Sequence, residues 1–325
     1  MIPVFIGGSG RCGTSILKQI LSAHPNVVSI PGELRVIIDP EGALDLLSAL
    51  TDTWSPFAAD HAISQFRNLL ENCAGESLVQ RVARFFLTSA GFSPARYSHC
   101  AIGRQFGKTY YRQRLQQLLK QLIRNHSKGY WIGSPSYRLQ PVIEEAGPFK
   151  PEEAAEIIGS FFHDLYGPLA KSANATHWID DTPFNILHAE GLLNLFPTLR
   201  LVHIYRHPLD VVASYRTKFW GGSEPEVIAI RLSNILQRWL SVRNNLPDDV
   251  FMEIKLEALA ENPNVHLKEI CQFSGFDLDA QLLTASKGLS REQAHIGRWQ
   301  SELSDTEANS CHHHLRPLMD AYGYA

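Results

Sequence analysis

The chain has 325 residues, of which 44% are hydrophobic and 19% charged, and its formal net charge is −3. These values are typical of a globular protein, and they exclude a strongly basic nucleic-acid or anionic-membrane surface as the main partner. The apolar start at residues 2–6 ends at Gly7 and lacks the basic segment of a signal peptide. No stretch approaches the roughly 18 apolar residues of a membrane span. We therefore expect a soluble, cytoplasmic protein, and the sequence leaves its oligomeric state open.

The cysteines and histidines do not have the spacing of a disulfide framework or a metal site. The five cysteines are an odd, widely spaced set without a C-x-x-C pair, which favours free thiols in a reducing compartment. His312, His313 and His314 are adjacent, and adjacent helical residues point in different directions. We expect no metal in the functional site.

The first elements alternate between strand and helix. Residues 3–6 are β-prone and run into glycines, and residues 14–23 have apolar side chains on one helical face. Residues 27–30 are a second strand, closed by Pro31 and Gly32. This βαβ order predicts a parallel sheet with helices packed on it.

The middle of the chain has a different pattern. Residues 41–128 are mostly helical, and residues 129–151 have the proline, glycine and serine content of loops. No linker is long enough to demand a separate domain. We predict a single domain over residues 1–325 with a mostly helical insertion at about 41–170, whose aromatic side chains are mainly core.

The strand and helix alternation returns in the second half. It predicts strands at residues 177–179, 199–205 and 250–254, and helices near residues 184–195, after Pro208, after Asn262 and over residues 304–322. The predicted fold class is therefore α/β, with a central parallel sheet and flanking helices.

The loop at residues 7–15 reads Gly-Gly-Ser-Gly-Arg-Cys-Gly-Thr-Ser and lies between the first strand and the first helix. Its glycines allow several main-chain N–H groups to face one anion, and the helix N-terminus adds partial positive charge. Thr14 and Ser15 add hydroxyl groups. The alternative is a glycine turn that merely joins strand to helix, but the strand–loop–helix context favours a phosphate-binding loop.

The same loop departs from that of nucleotide hydrolases. Their motif is G-x-x-x-x-G-K-S/T, and in the segment from Gly8 to Ser15 the lysine position is Thr14. That lysine contacts the β- and γ-phosphates, so its absence argues against ATP or GTP hydrolysis. Arg11 is the basic residue inside the loop instead.

A second candidate anion site begins at Arg206, at the end of a predicted strand. Ser214 follows eight residues later on the next helix, and two helical turns bring it back towards Arg206. A guanidinium and a hydroxyl then hold one phosphate together. The alternative is a capped surface helix with an ordinary ion pair between Arg206 and Asp210.

Both segments resemble the sulfotransferase family. The loop is similar to the family's 5′-phosphosulfate loop, often P-R-S-G-T-T or G-R-S-G-T-T in bacterial branches, and the segment from Arg206 is similar to its 3′-phosphate segment. Residues 296–299 resemble the late loop beside that phosphate. The resemblance implies a P-loop-like fold and 3′-phosphoadenosine 5′-phosphosulfate as donor, without a metal. The donor-binding residues that it implies are Gly10, Arg11, Cys12, Gly13, Thr14, Ser15, Arg206 and Ser214.

The resemblance also implies catalytic residues. Ala23-His24-Pro25, followed by Gly32-Glu33, is similar to a segment of the tyrosylprotein sulfotransferases, in which the glutamate is the catalytic base. Glu33 is therefore the expected general base and Arg11 the expected cation at the reacting group. The alternative for Glu33 is a solvated loop glutamate.

One position departs from the family pattern. The segment His177–Phe184 resembles the family's W-x-x-K-T-P, but the lysine position is Asp181. A carboxylate cannot neutralise a leaving phosphate, so Arg35, Lys18 or Arg138 substitutes, or the acceptor binds differently.

These residues are compatible with three functions. The favoured one is transfer of a sulfonyl group by in-line displacement to a hydroxyl of a peptide tyrosine, a carbohydrate, a lipid or a small metabolite. The alternatives are a P-loop kinase or NTPase, with Asp180 and Asp181 imitating magnesium-binding residues, and a non-catalytic nucleotide-binding protein.

Overall fold

The structure is a computed structural model that describes residues 1–75, 96–97, 102–133 and 142–324. The chain forms two compact units. The first comprises Met1–Ser29, Ala173–Leu193 and Thr198–Ala325, and the second comprises Ile30–Ser172 with Asn194–Pro197. The mostly helical segment predicted at about 41–170 falls within the second unit. Its assignment as an insertion in a single domain stays a prediction.

A parallel sheet is the centre of the first unit. Its strands, in chain order, are β1 (Ile2–Gly7), β2 (Val27–Ser29), β5 (His177–Asp180), β6 (Arg200–Tyr205) and β7 (Phe251–Lys255). The spatial order is β2-β5-β1-β6-β7 and every pairing is parallel. β1 is central and almost wholly buried, as its run of apolar residues requires. All five strands therefore end at the same edge of the sheet.

Helices cover this sheet. In the first unit they are α1 (Thr14–Leu21), α7 (Ala189–Leu195), α8 (Pro208–Arg216), α9 (Pro225–Arg243), α10 (Leu256–Glu261), α11 (Pro263–Ser274), α12 (Ala280–Ser286), α13 (Trp299–Glu302) and α14 (Asp305–Ala321). Ser304 and Glu307 form a capping box at the start of α14. The predicted α/β class with a central parallel sheet is confirmed. Within the described ranges, no helix has the length and apolarity that crossing a membrane requires.

One predicted helix differs from the observed structure. Residues 184–195 were expected to be one helix, but Pro183–His188 is a 3₁₀ helix and α7 begins only at Ala189. The Asn185 side chain donates to Asp180 Oδ2 at 2.9 Å and to the carbonyl of Ile6 at 3.3 Å. These bonds tie the segment to the ends of β5 and β1, and a tight 3₁₀ turn satisfies them.

The second unit is largely helical. It contains α2 (Ala43–Leu50), α3 (Pro56–Cys73), α4 (Ile102–Gln105), α5 (Lys108–Leu122) and α6 (Pro151–Ala173), the last of which extends one residue beyond the unit. Within the stretch predicted as loop, β4 (Val142–Glu145) pairs antiparallel with β3 (Asn125–Lys128). Two side chains of α3 contact β4. The Asp60 carboxylate accepts from the N–H of Glu144, and Arg67 pairs with the Glu144 carboxylate.

The aromatic side chains of this region have mixed environments. Phe106 and Tyr111 are buried as expected, whereas Phe57 and Tyr130 are exposed. Phe85, Phe86, Phe92 and Tyr137 lie outside the described residues.

A buried polar network joins β6 to β7. Glu253 accepts from His203 Nδ1 at 2.8 Å and from the Trp239 indole at 2.8 Å, and it also pairs with Arg243. Burial lowers the pKa of His203, although Glu253 opposes this shift. His177, also in the sheet, has its pKa lowered by burial, which the bonded carbonyl of Ser274 opposes.

We predict that stability falls as the pH falls from 7.5 to 5.5. A histidine whose folded-state pKa is depressed contributes its full stability above the unfolded pKa of about 6.5 and loses it as the pH drops towards the folded value. Denaturant unfolding of a His203→Phe variant should show a pH dependence smaller by roughly 1 kcal/mol. His312→Gln, at an exposed position, is the control. An unchanged pH dependence in His203→Phe would contradict the assignment.

Candidate functional site

The loop between β1 and α1 ends at a helix N-terminus that no side chain caps. Gly13 is the N-cap of α1, with φ of 109°, and no side chain caps the helix. The first N–H groups of a helix lack intrahelical partners and carry partial positive charge. Without a side-chain cap, those of α1 are available to a bound phosphate or sulfate.

Close packing explains the glycines of this loop. A Cβ on Gly8 would lie 2.3 Å from Cys12 Sγ and 2.5 Å from the carbonyl oxygen of Ile204. At Gly10, where φ is 78°, a Cβ would lie 2.1 Å from Tyr215 Oη. That hydroxyl donates to the carbonyl of Ser9 at 2.9 Å. Tyr215 on α8 therefore packs against Gly10 and holds the loop in place through its hydrogen bond to Ser9.

Cys12 takes part in the loop through its main chain. Its side chain is fully buried in the hydrophobic core of the first unit. Burial raises the pKa of the thiol, although hydrogen bonds from Ser9 and neighbouring main-chain groups oppose this. The thiol is thus a small core group that supports the turn.

The two predicted anion segments meet at one cavity of about 170 Å³. Arg11 Nε donates to Ser214 Oγ at 3.1 Å, which joins the first loop to α8. The cavity is lined by Arg11, Gly13, Thr14, Ser15, Ile16, Arg206, Ser214, Leu256, Gln293, Ala294, His295 and Arg298. It therefore brings three guanidinium groups around the uncapped start of α1.

Arg206 is held at the end of β6 with part of its hydrogen-bonding capacity unused. It pairs with Asp210 at 3.4 Å and donates to the carbonyl of His295. The ion pair of the alternative interpretation thus exists, but the guanidinium is buried rather than on a surface helix. Its Nε has no hydrogen-bond partner. Burial lowers the pKa of Arg206, while Asp210 and Glu257 oppose this, so the cation is poorly solvated.

The late loop is fixed by one carboxylate. Asp210 accepts from the N–H of Gly297 at 2.8 Å and from the N–H of Trp299 at 3.0 Å. These bonds hold residues 296–299 beside α8, and Arg298 lines the cavity. The sequence predicted this loop, but it did not predict that Arg298 lines the cavity or that Asp210 binds the loop. The four-residue spacing of Arg206 and Asp210 was the one signal in the sequence that pointed to Asp210.

Asp181, where the family pattern has lysine, forms a buried ion pair with Lys18. Lys18 Nζ lies 2.7 Å from Asp181 Oδ1. Burial raises the pKa of Asp181, and Lys18 opposes this. Its neighbour Asp180 accepts instead from the N–H of Thr182 and from Asn185.

Glu33 belongs to the second unit. Its carboxylate pairs with Arg35 at 3.1 Å, and Arg35 also pairs with Asp39 at 2.9 Å. Asp39 in turn accepts from the hydroxyl of Tyr97. Of the three candidate substitutes for the family lysine, Lys18 and Arg35 are therefore both engaged with carboxylates. Arg138 lies outside the described residues.

The described part of the chain holds no group of three or more histidine, cysteine, aspartate or glutamate side chains arranged to bind a metal ion. His314, one of the three adjacent histidines, contacts Glu226 across α9 and α14 at 3.0 Å.

Comparison with solved structures finds several sulfotransferases. A sulfotransferase domain from the curacin biosynthetic pathway is 15% identical, covers 96% of this chain and 96% of its own, and has a TM-score of 0.50. The sulfotransferase domain of the Synechococcus PCC 7002 olefin synthase is 17% identical over 88% of this chain and 77% of its own, with a TM-score of 0.45. A Mycobacterium avium sulfotransferase is 14% identical over 98% and 76%, with a TM-score of 0.46.

A comparison with curated proteins finds no significant match. The model of the sulfotransferase family matches residues 3–89 and 104–280, which include the β1–α1 loop, Asp181 and the Arg206–Ser214 segment. Because this match covers well over half of the chain, the protein belongs to the sulfotransferase family.

Proposed function

We propose that the protein transfers the sulfonyl group of 3′-phosphoadenosine 5′-phosphosulfate to a hydroxyl of an acceptor. The observation that carries this proposal is the contact between Arg11 and Ser214. It joins two candidate anion sites at one cavity, to which Arg206 and Arg298 add positive charge. A nucleotide with a phosphate at each end of its ribose needs such a pair of sites.

The residues at the cavity fit this donor. The uncapped start of α1 offers main-chain N–H groups for the 5′-phosphosulfate, with Gly10, Cys12, Gly13, Thr14 and Ser15 forming the cradle. The unpartnered Nε of Arg206, beside Ser214, is matched to the oxygens of the 3′-phosphate. A bound phosphate would supply the solvation that this buried guanidinium lacks.

The mechanism follows from the charges that change during transfer. The donor supplies an activated sulfonyl group, whose bond to a phosphate oxygen breaks as the acceptor oxygen forms a bond to sulfur. Arg11 stabilises the negative charge that develops on the sulfonyl and leaving oxygens. Glu33 takes the proton of the acceptor hydroxyl as general base. Its proposed role is supported by the family resemblance.

Two observations disfavour a P-loop kinase or NTPase. Thr14 occupies the lysine position of that motif. In those enzymes a loop serine and a strand-end aspartate hold Mg²⁺, whereas here the ammonium of Lys18 compensates the charge of Asp181. We propose that the donor binds without a metal and that the protein acts in the cytoplasm.

The acceptor is proposed only as a hydroxyl compound. A peptide tyrosine, a carbohydrate, a lipid and a small metabolite all satisfy the chemistry. Incubating the protein with donor labelled at the sulfonyl sulfur and a member of each class, then measuring label transfer, distinguishes them. Donor binding without transfer to any class would favour the non-catalytic alternative.

The donor assignment predicts stabilisation by the product nucleotide. Adenosine 3′,5′-bisphosphate should raise the melting temperature in the presence of EDTA, because a ligand that binds only the folded state stabilises it. At 100 times its dissociation constant the gain is about 2.7 kcal/mol. ATP and GTP with Mg²⁺ are the comparison, and a larger shift from either would favour the kinase or NTPase.

Arg206→Ala and Ser214→Ala should weaken bisphosphate binding unequally. A hydrogen bond from a charged group contributes about 1.5–3 kcal/mol and a neutral one about 1 kcal/mol, so we expect a loss of about 10- to 100-fold for arginine and about fivefold for serine. Calorimetry measures both. Arg238→Ala, at an exposed position of α9, is the control. Unchanged affinity in Arg206→Ala would remove it from the proposed 3′-phosphate site.

Glu33→Gln should lower turnover by about 10²–10⁴-fold with nearly constant donor affinity, because glutamine keeps the size of the side chain but cannot accept the proton. The assay is label transfer to the acceptor identified above. Glu41→Gln makes the same change at an exposed position and should be silent. If Glu33→Gln kept most of its activity, Glu33 would not be the base; if donor binding collapsed as well, its role would be structural.

A further inference from the structure

The Lys18–Asp181 ion pair lies directly behind the proposed donor-binding loop. Both side chains are nearly buried, with 11% and 4% of their side-chain surface exposed, and their charged atoms are 2.7 Å apart. Lys18 is one turn of α1 beyond Ser15, and Asp181 follows the end of β5. The pair therefore links α1 to the edge of the sheet.

Ser15 connects the ion pair to the cavity along the chain. It lines the cavity, and it lies one turn before Lys18 on α1. The ion pair is therefore one helical turn from the cavity wall.

The charge of Asp181 would otherwise oppose anion binding. Asp181 follows β5, which pairs parallel with β1, so its charge lies at the same edge of the sheet as the loop. A carboxylate near an anion site repels the ligand, and the interaction is strong where water is scarce. The ammonium of Lys18 cancels this charge at contact distance. The charged and titratable groups that face Asp181 in the described part of the first unit are Lys18 on α1 and Asp180 on β5, with the Ser15 hydroxyl beside them.

We propose that Lys18 is a positioning residue for the donor: its ammonium neutralises Asp181 and so keeps this buried carboxylate from repelling the bound anion. Neither side chain needs to touch the reacting atoms. This inference rests on the proposed donor.

The proposal has a pH signature. Without Lys18, Asp181 is a buried carboxylate whose pKa burial raises and no cation lowers. It is neutral at low pH and acquires its charge as the pH rises through that elevated pKa. Repulsion of the bisphosphate therefore appears at high pH and vanishes at low pH. A purely structural ion pair would change stability without giving donor affinity this dependence.

The test is the binding of adenosine 3′,5′-bisphosphate by calorimetry between pH 5.5 and 8.5. The ligand titrates in this range, so the affinity of each variant is divided by that of the unchanged protein at the same pH. For Lys18→Met this ratio should fall on the order of tenfold as the pH rises. Lys18→Met/Asp181→Asn should give a flat ratio, because the titrating group is gone. Lys18→Arg, which keeps the charge, should also be flat.

A matched control is Arg243→Met, which removes the cation from Glu253 within the same unit but outside the cavity lining. Its ratio should not change with pH.

A flat ratio in folded Lys18→Met overturns the inference. If Lys18→Met does not fold, Asp181→Asn decides: asparagine removes the negative charge and leaves Lys18 uncompensated, so binding at least as tight is expected, and weaker binding overturns the inference. Absence of bisphosphate binding in the unchanged protein would instead overturn the proposed function.

Discussion

The buried carboxylate of Asp210 holds several parts of the candidate site in place. It pairs with Arg206 at the end of β6 and accepts from two N–H groups of the late loop. One side chain thus fixes a guanidinium, a helix start and a loop from the far end of the chain relative to each other. Removing a buried acceptor with three partners leaves each of them unsatisfied, which costs more than the bonds themselves contribute. The positions of Arg206 and of the loop at residues 296–299 at the cavity therefore depend on this single anion.

The electrostatics of the first unit follow one pattern. Buried carboxylates outside the cavity lining pair with cations at or near it: Asp210 pairs with Arg206, which lines the cavity, and Asp181 pairs with Lys18 on α1. Such pairs gain little net stability, because desolvation offsets their attraction. What Asp210 contributes is orientation, since it also accepts from the main-chain N–H groups of Gly297 and Trp299. The cavity is therefore positive although the protein as a whole carries a net charge of −3.

Sequence reasoning reached the fold because the signals were local. The apolar run of β1, the glycine loop and the helical face of α1 are contiguous in the chain, and their order alone implies a parallel sheet. The family resemblance placed Arg11 and Ser214 at one donor, but the hydrogen bond between their side chains was not predictable, because 203 positions separate them. The same holds for Asp181: its residue type signalled a departure, but only the folded chain shows that Lys18 is its partner. The 3₁₀ helix at Pro183–His188 was not predicted, because it depends on hydrogen bonds from Asn185 to neighbouring strands. The periodicity of apolar residues contains no information about such bonds.

Burial of the cysteines has a consequence for the chemical durability of the protein. Cys12, Cys73, Cys271 and Cys311 are all buried. Burial raises the pKa of the Cys271 and Cys311 thiols to about 11, and it raises that of Cys12 as well. Since the thiolate is the species that peroxides and alkylating reagents attack, these sulfurs react slowly at neutral pH. A loop that carries a cysteine at its centre is in this way kept insensitive to the redox state of its surroundings.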